Sequence, residues 1–231
     1  VVYKISDASV QAKLAGHTGP VTGVAFTPNS SQVVTAGRDK TVRVFASADG
    51  KPARTINVEA EAVSLGLTAN GAQAAVGGAD KAVRVYTLAD GKLVKTLSGH
   101  GAAVTAVEFS RDNARLISGS ADGRLRAWDL KTDRVLQHFQ TSGSVSGVGF
   151  SNDNRTIAFA GTGKSVHIES ISVQAVIAAD DKEVTSLGIS GNSTVLVTAG
   201  PGGVKSWNAG NGQPTRTFVG LPGGAQVVAV N

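Results

Sequence analysis

One six-residue pattern recurs along the chain at a nearly constant interval, and that interval limits the fold more than any other feature. Val21-Thr22-Gly23-Val24-Ala25-Phe26 has counterparts at Ala62 to Leu67, Val104 to Phe109, Val145 to Phe150, Val184 to Ile189 and Ala225 to Val230. Within these segments Val24, Leu65, Val107, Val148, Leu187 and Val228 are separated by 41, 42, 41, 39 and 41 residues. A fixed period of this length marks a stack of small supersecondary units, each of which buries its apolar face on its neighbours.

Each period reads as four short strands, a to d. Strand a is the recurring segment, and a polar turn such as Ser110-Arg111-Asp112-Asn113 separates it from strand b. A tight Gly/Asp turn leads to strand c, and Asp49-Gly50, Asp90-Gly91 or Asn211-Gly212 leads on to strand d. Such dipeptides are hairpin signals. Apolar residues alternate along the strands, as at Val42 and Val44 or Val83 and Val85. A helical solenoid would need helix-length amphipathic runs, which the frequent Gly and β-branched residues oppose. A four-stranded meander has two faces to cover, and stacking around an axis covers both, which is the β-propeller arrangement.

The third repeat carries Gly99-His100, Ser118-Gly119-Ser120-Ala121-Asp122 and Trp128-Asp129, and the first carries Gly16-His17, Thr35 and Asp39 with Phe45 in place of Trp. On these residues the chain resembles the WD40 family. The resemblance implies an all-β WD40 β-propeller with five complete four-stranded antiparallel blades and partial blades at both ends. It also implies a buried hydrogen-bonded chain of His, Ser or Thr, Asp and Trp, here His100, Ser118, Asp122 and Trp128 in the third repeat. His17, Thr35 and Asp39 form it in the first, where Phe45 offers no indole N–H. The second repeat keeps Asp80 alone, the fourth has Thr141, Phe159, Gly163 and Glu169 at these places, and the fifth keeps Trp207 but no clear turn Asp. The expected partition is 1–14 for the end of a preceding blade, then 15–55, 56–97, 98–139, 140–175 (degenerate) and 176–219, with 220–231 as the first strand of a further blade. Because the pattern opens within one blade and stops within another, the chain is expected to be an excerpt of a longer propeller or an open arc completed by a second copy.

The recurring Ser, His and Asp invite a catalytic reading. A catalytic triad occurs once and needs an oxyanion hole and a pocket, whereas these residues return at fixed offsets in successive repeats. The chain is therefore read as non-enzymatic, with no catalytic, cofactor or metal site. The four His residues are scattered, and the absence of cysteine excludes thiolate ligands and disulfides. Gly161-Thr162-Gly163-Lys164-Ser165 lacks the upstream Gly of a phosphate-binding loop.

The net charge is +5, but the basic residues are scattered, so nucleic acid is not expected as a partner. Strand c carries a periodic basic residue, Arg43, Arg84, Arg126 and Lys205 with His167 in the fourth repeat. These side chains are expected to cover the blade face and place their charge at the rim.

The resemblance implies a binding scaffold for a protein or peptide, engaged on the face made by the d–a and b–c loops. An alternative is a sensor or regulatory propeller attached to an enzyme. Carried over, the candidate face comprises Pro20, Glu61, Ala103, Ser144 and Glu183, then Thr22, Val63, Thr105, Ser146 and Thr185, and Arg38 before the turn Asp. The hydroxyls of Thr22, Thr105, Ser146 and Thr185 are read as filler around a wet channel. Self-association through unpaired blade edges is a further expectation. No run of about eighteen apolar residues is present to span a membrane. The default expectation is a soluble cytoplasmic protein, with a bacterial extracytoplasmic location as the alternative. The Ala- and Val-rich, Cys-free composition suggests a bacterial source.

Overall fold

The computed structural model describes residues 2–3, 9–162, 166–171, 186–189, 194–200, 203–208 and 213–218. The chain divides into two compact units, Val1–Ser172 and Val173–Asn231. Every regular element among the described residues is a β-strand, and every pairing is between antiparallel neighbours in sequence.

In the first unit β1 (Val2–Tyr3) pairs with β2 (Val10–Ala12). A four-stranded meander follows, with β3 (Val21–Phe26), β4 (Gln32–Gly37), β5 (Thr41–Ala46) and β6 (Pro52–Asn57). The second sheet contains β7 (Ala62–Leu67), β8 (Gln73–Gly78), β9 (Val83–Thr87) and β10 (Leu93–Leu97). The third contains β11 (Val104–Phe109), β12 (Arg115–Ser120), β13 (Arg124–Asp129) and β14 (Arg134–Gln140). The fourth shows three strands among the described residues, β15 (Val145–Phe150), β16 (Thr156–Gly161) and β17 (Val166–Ser170). The place expected for its strand d lies outside the described residues. The second unit holds one sheet, β18 (Ser186–Ile189), β19 (Val195–Gly200), β20 (Gly203–Asn208) and β21 (Pro214–Phe218). Segment 220–231, expected to begin a further blade, also lies outside the described residues.

Turn chemistry sets the meander. The a–b turns place Ser30, Gly71, Asn113 and Asn154 at positive φ, and the b–c turns do so at Lys40, Lys81 and Gly123. The same register position therefore bends left-handed in repeat after repeat, mostly without glycine, which costs some strain for a side chain with a Cβ. Strand a carries a second recurring device. Its register slips between Val21 and Gly23, Ala62 and Ser64, Val104 and Ala106, and Val145 and Gly147. Thr22, Val63, Thr105 and Ser146 thus occupy β-bulges, which re-aim a side chain out of the ladder.

The core lies between successive sheets of the first unit. Val34, Ala36, Val42 and Val44 of the first sheet pack with Ala74, Val76 and Tyr86 of the second. Ala75, Val83, Val85 and Leu97 of the second pack with Val107, Phe109, Leu116 and Trp128 of the third. Adjacent residues of β8 thus serve opposite neighbours, which is what a period of two requires of a strand buried on both faces. On its other side the first sheet meets β1 and β2, where Val2 and Ala12 cover Val33.

Single hydrogen bonds tie the sheets together at both ends of strand a. Thr22 Oγ1 donates to the Ala62 carbonyl at 2.8 Å, Ser64 Oγ to Val104 O at 3.0 Å, and Thr105 Oγ1 to Val145 O. Gly77 leaves room for the middle tie, since a Cβ there would sit 2.7 Å from Val104 O. At the other end Asn113 Oδ1 accepts from Ala69 N at 2.9 Å, and Asn154 Oδ1 accepts from Arg111 N at 2.7 Å. Thr22 and Thr105 are therefore inter-sheet donors, not channel filler: the bulge turns each hydroxyl towards a carbonyl of the next repeat.

Candidate functional site

Two repeats bury a continuous polar chain. In the third, His100 Nε2 lies 2.7 Å from Ser118 Oγ, which also accepts from Trp128 Nε1 at 2.7 Å. Asp122 Oδ2 lies 3.2 Å from His100 Nδ1 and accepts from Gly101 N at 2.7 Å. In the first, His17 Nδ1 stands 2.8 Å from Asp39 Oδ2, and Nε2 stands 2.8 Å from Thr35 Oγ1. Phe45 fills the place of Trp128 and offers Thr35 Oγ1 no N–H; beside His17 that oxygen meets the Arg43 carbonyl, at 3.4 Å.

Burial would raise the Asp39 carboxyl, but the Thr18 N–H, the Thr41 hydroxyl and His17 outweigh it and hold the group at about 2. Burial opposes ionisation of Asp122 as well, and the N–H groups of Gly101 and Arg124 together with His100 hold it at about 2. The His100 imidazole is pushed down by burial and then by the Arg126 charge, against the upward pull of Asp122. These are the effects of satisfied buried groups, in which each polar atom finds a partner inside the sheet.

The other repeats replace the chain in different ways. Asp80 is exposed and bonds Arg84, at 2.7 Å to Nη2 and 3.1 Å to Nη1, while Glu59 meets Arg84 Nε at 2.9 Å. In the fourth repeat Phe159 stacks on His167 with ring centroids 5.0 Å apart and packs against Phe139 at 5.8 Å. The fifth retains a link that the sequence reading passed over: Trp207 Nε1 donates to Thr198 Oγ1 at 2.9 Å. Arg126 corrects the expectation of a rim charge. It is buried, and its Nη1 lies 2.7 Å from His100 Nδ1, so its charge enters the polar chain.

The loop-face residues come together in pairs through one repeated backbone bond. Arg38 N donates to Pro20 O, Ala79 N to Glu61 O, Ala121 N to Ala103 O and Thr162 N to Ser144 O, at 2.8–2.9 Å. Pro20, Arg38, Glu61 and Ser146 are exposed, whereas Val63, Ala103 and Ser144 are half-buried. Glu183 and Thr185 lie outside the described residues. Among the described residues no group of three or more His, Asp or Glu could hold a metal ion. No helix there is long and apolar enough to cross a membrane.

Antiparallel sheets stacked in sequence order within the first unit, two of them with a His–Ser/Thr–Asp chain inside, define the class: these are WD40-type blades of a β-propeller fold. The family profile described as "WD domain, G-beta repeat" matches residues 8–45 and 91–129. Pre-mRNA-processing factor 19 of Bos taurus is 25% identical over 154 residues, covering 65% of this chain and 31% of that protein. Pre-mRNA-processing factor 19 homolog 2 of Arabidopsis thaliana is 29% identical over 219 residues, covering 90% and 34%. The chain spans about a third of the length of these curated relatives. A solved structure of U3-55K superposes with a TM-score of 0.63 at 18% identity, covering 91% of this chain and 69% of that one, a likeness of fold alone. Both relatives are eukaryotic, and they lend no support to the bacterial source suggested by composition.

Proposed function

We propose that the chain is a non-catalytic scaffold that binds a protein or peptide on the face formed by its d–a and b–c loops. The observation that carries this reading is the use made of the reactive side chains. His17, Thr35 and Asp39 bond one another inside one sheet, and His100, Ser118 and Asp122 do the same inside another. What remains presented on the loop face is a set of exposed groups, Pro20, Arg38 and Glu61 foremost, on backbone fixed by the repeated loop-to-loop bond. Rigid loops on a stacked scaffold suit recognition. The eukaryotic relatives named for pre-mRNA processing give the reading its context, without assigning a partner.

The test is selection of peptides on the full chain from a displayed random library, followed by binding to charge-reversed variants. Arg38→Glu with Glu61→Lys should weaken the selected peptides by about tenfold or more, roughly 1.4 kcal/mol. Arg54→Glu with Arg134→Glu, on strands d, should leave them unchanged. Equal affinity for both variants would move the site off the loop face.

A second reading, self-association through the exposed apolar side chains of β3, is favoured by one contrast. Val21, Val24 and Phe26 of β3 are 52, 66 and 52% exposed, while Val104, Val107 and Phe109 at the same register are 0, 7 and 5% exposed. An apolar strip of this kind marks an interaction site or an aggregation hazard. Light scattering of the full chain and of a Val24→Lys, Phe26→Lys variant decides it: the wild type should be larger than a monomer and the variant monomeric.

A further inference from the structure

In three sheets a hydroxyl of strand b accompanies an aromatic residue of strand c, and in two of them it receives an indole N–H. Ser118 Oγ accepts from Trp128 Nε1 at 2.7 Å, and Thr198 Oγ1 accepts from Trp207 Nε1 at 2.9 Å. In the first sheet the aromatic residue is Phe45, which has no N–H. The Asp39 carboxylate, an acceptor only, lies 2.8 Å from His17 Nδ1, so that nitrogen carries the proton and Nε2 accepts the Thr35 hydroxyl at 2.8 Å. The Arg43 carbonyl, 3.4 Å from Thr35 Oγ1, is a further acceptor. Among the described residues no donor therefore reaches the lone pairs of this oxygen, although Thr35 is only 5% exposed.

Thr35 lines a cavity of about 340 Å³ together with Val2, Leu14, His17, Val24 and Phe45. At the same register of the third sheet, Ala75, Val83, Val85 and Leu97 of the second sheet pack with Leu116 and Trp128. Over the first sheet, β1 and β2 bring Val2 and Ala12 to Val33, with Leu14 beside them, and the ring at position 45 is smaller than an indole. The cavity is mostly apolar, and Thr35 and His17 are its polar side chains. Its size falls at the lower end of the about 300–1,000 Å³ typical of ligand pockets, which combine apolar walls with a few placed polar groups.

We propose that this cavity takes the indole ring of a tryptophan from a partner protein, whose N–H is donated to Thr35 Oγ1 as Trp128 donates to Ser118. A second copy of the chain cannot supply the ring. Its two tryptophans, Trp128 and Trp207, are 2 and 6% exposed, and both N–H groups are already used. The ring comes on a chain and not as a free molecule because Val24 and Phe26 are 66 and 52% exposed. An indole alone would leave much of that apolar surface in water, and apolar residues flanking the tryptophan would cover it. This contact is separate from the loop-face role. It shares β3 with the self-association reading, whose test reads mass and not ring binding.

N-acetyltryptophanamide titrated into the 15N-labelled full chain tests the assignment. Amide shifts should gather at Val24, Thr35 and Phe45 and saturate. The N1-methylated analogue, which keeps the ring and lacks the N–H, should bind about fivefold more weakly, the worth of one hydrogen bond. Phe45→Trp gives Thr35 a donor from its own chain and fills the space, so the probe should no longer shift these residues. Thr35→Val removes the acceptor and should erase the difference between the two compounds. Where a variant fails to fold, the two compounds on the wild type decide. Equal affinity for both, shifts confined to other residues, or no shifts at all overturns the proposal. Binding of free indole without binding of N-acetyltryptophanamide overturns it too, since the cavity would then be a small-molecule site. Light scattering of the same samples keeps the two readings of β3 apart: a monomer that binds the probe sinks self-association alone, and a dimer that does not bind it sinks this one.

Discussion

The third repeat closes its polar chain with an indole, and the first closes the same chain with a benzene ring. Trp128 both fills space and donates to Ser118, whereas Phe45 fills space and leaves Thr35 with a long bond to a backbone carbonyl. Both aromatic side chains are fully buried. The comparison separates two roles that Trp128 combines. Volume at this position holds the sheet against its neighbours, and the donor completes a chain that is local to one repeat.

The largest test of that separation is removal of volume. Trp128→Ala and Phe45→Ala should each cost about 3–5 kcal/mol in denaturant unfolding, despite their different hydrogen bonding. A clearly smaller loss at Phe45 would mean that the first sheet does not need the ring. Acid should act next, and unequally. Asp39 and Asp122 are both held at about 2, below their ordinary 3.8, so each contributes stability that is present above pH 3.8 and is lost as the pH falls towards 2. His100 is lowered from its ordinary 6.5, so the folded state favours its neutral form and its contribution begins to fade below pH 6.5. Hydrogen exchange followed from pH 7 downward should therefore loosen β12 and β13 before β4 and β5. Simultaneous loosening would break the distinction.

Smaller effects sharpen it. Trp128→Phe copies the first repeat and leaves one acceptor on Ser118 unfilled, which should cost about 1–3 kcal/mol by thermal or chemical unfolding. Thr105→Val removes one inter-sheet donor and should cost about 0.5–1.5 kcal/mol, with the increase in exchange confined to the third and fourth sheets.

The all-β, four-stranded organisation was legible because it rests on period, alternation and turn residues, which are properties of a single strand and its neighbour in sequence. The roles of His17, Asp39, His100 and Asp122 were legible only through the resemblance of the first and third repeats to the WD40 family. What escaped was anything decided between repeats or by a residue outside the pattern. The acceptors of Thr22 and Thr105 are main-chain carbonyls of the following repeat, which leave no mark in the sequence. The buried position of Arg126 is set by its contacts with His100 and Asp122, which the periodic basic residue of strand c does not announce. The Thr198–Trp207 link was obscured by its spacing, 9 residues against 10 for Ser118 and Trp128. A search allowing one residue of slack in the b–c hairpin would have found it. In the fourth repeat the stacking of Phe159 on His167 replaces a polar chain with a ring contact, a pairing across β16 and β17 that neither residue announces alone.

The ties along strand a have a mechanical meaning. Each of the first three sheets is pinned to its successor by a hydroxyl on a carbonyl near one end of the strand. Under a pulling force such an array gives way as a zipper does, tooth by tooth. Each event should pay out roughly forty residues of chain, about 140 Å when stretched, so the trace would be a staircase of nearly equal steps.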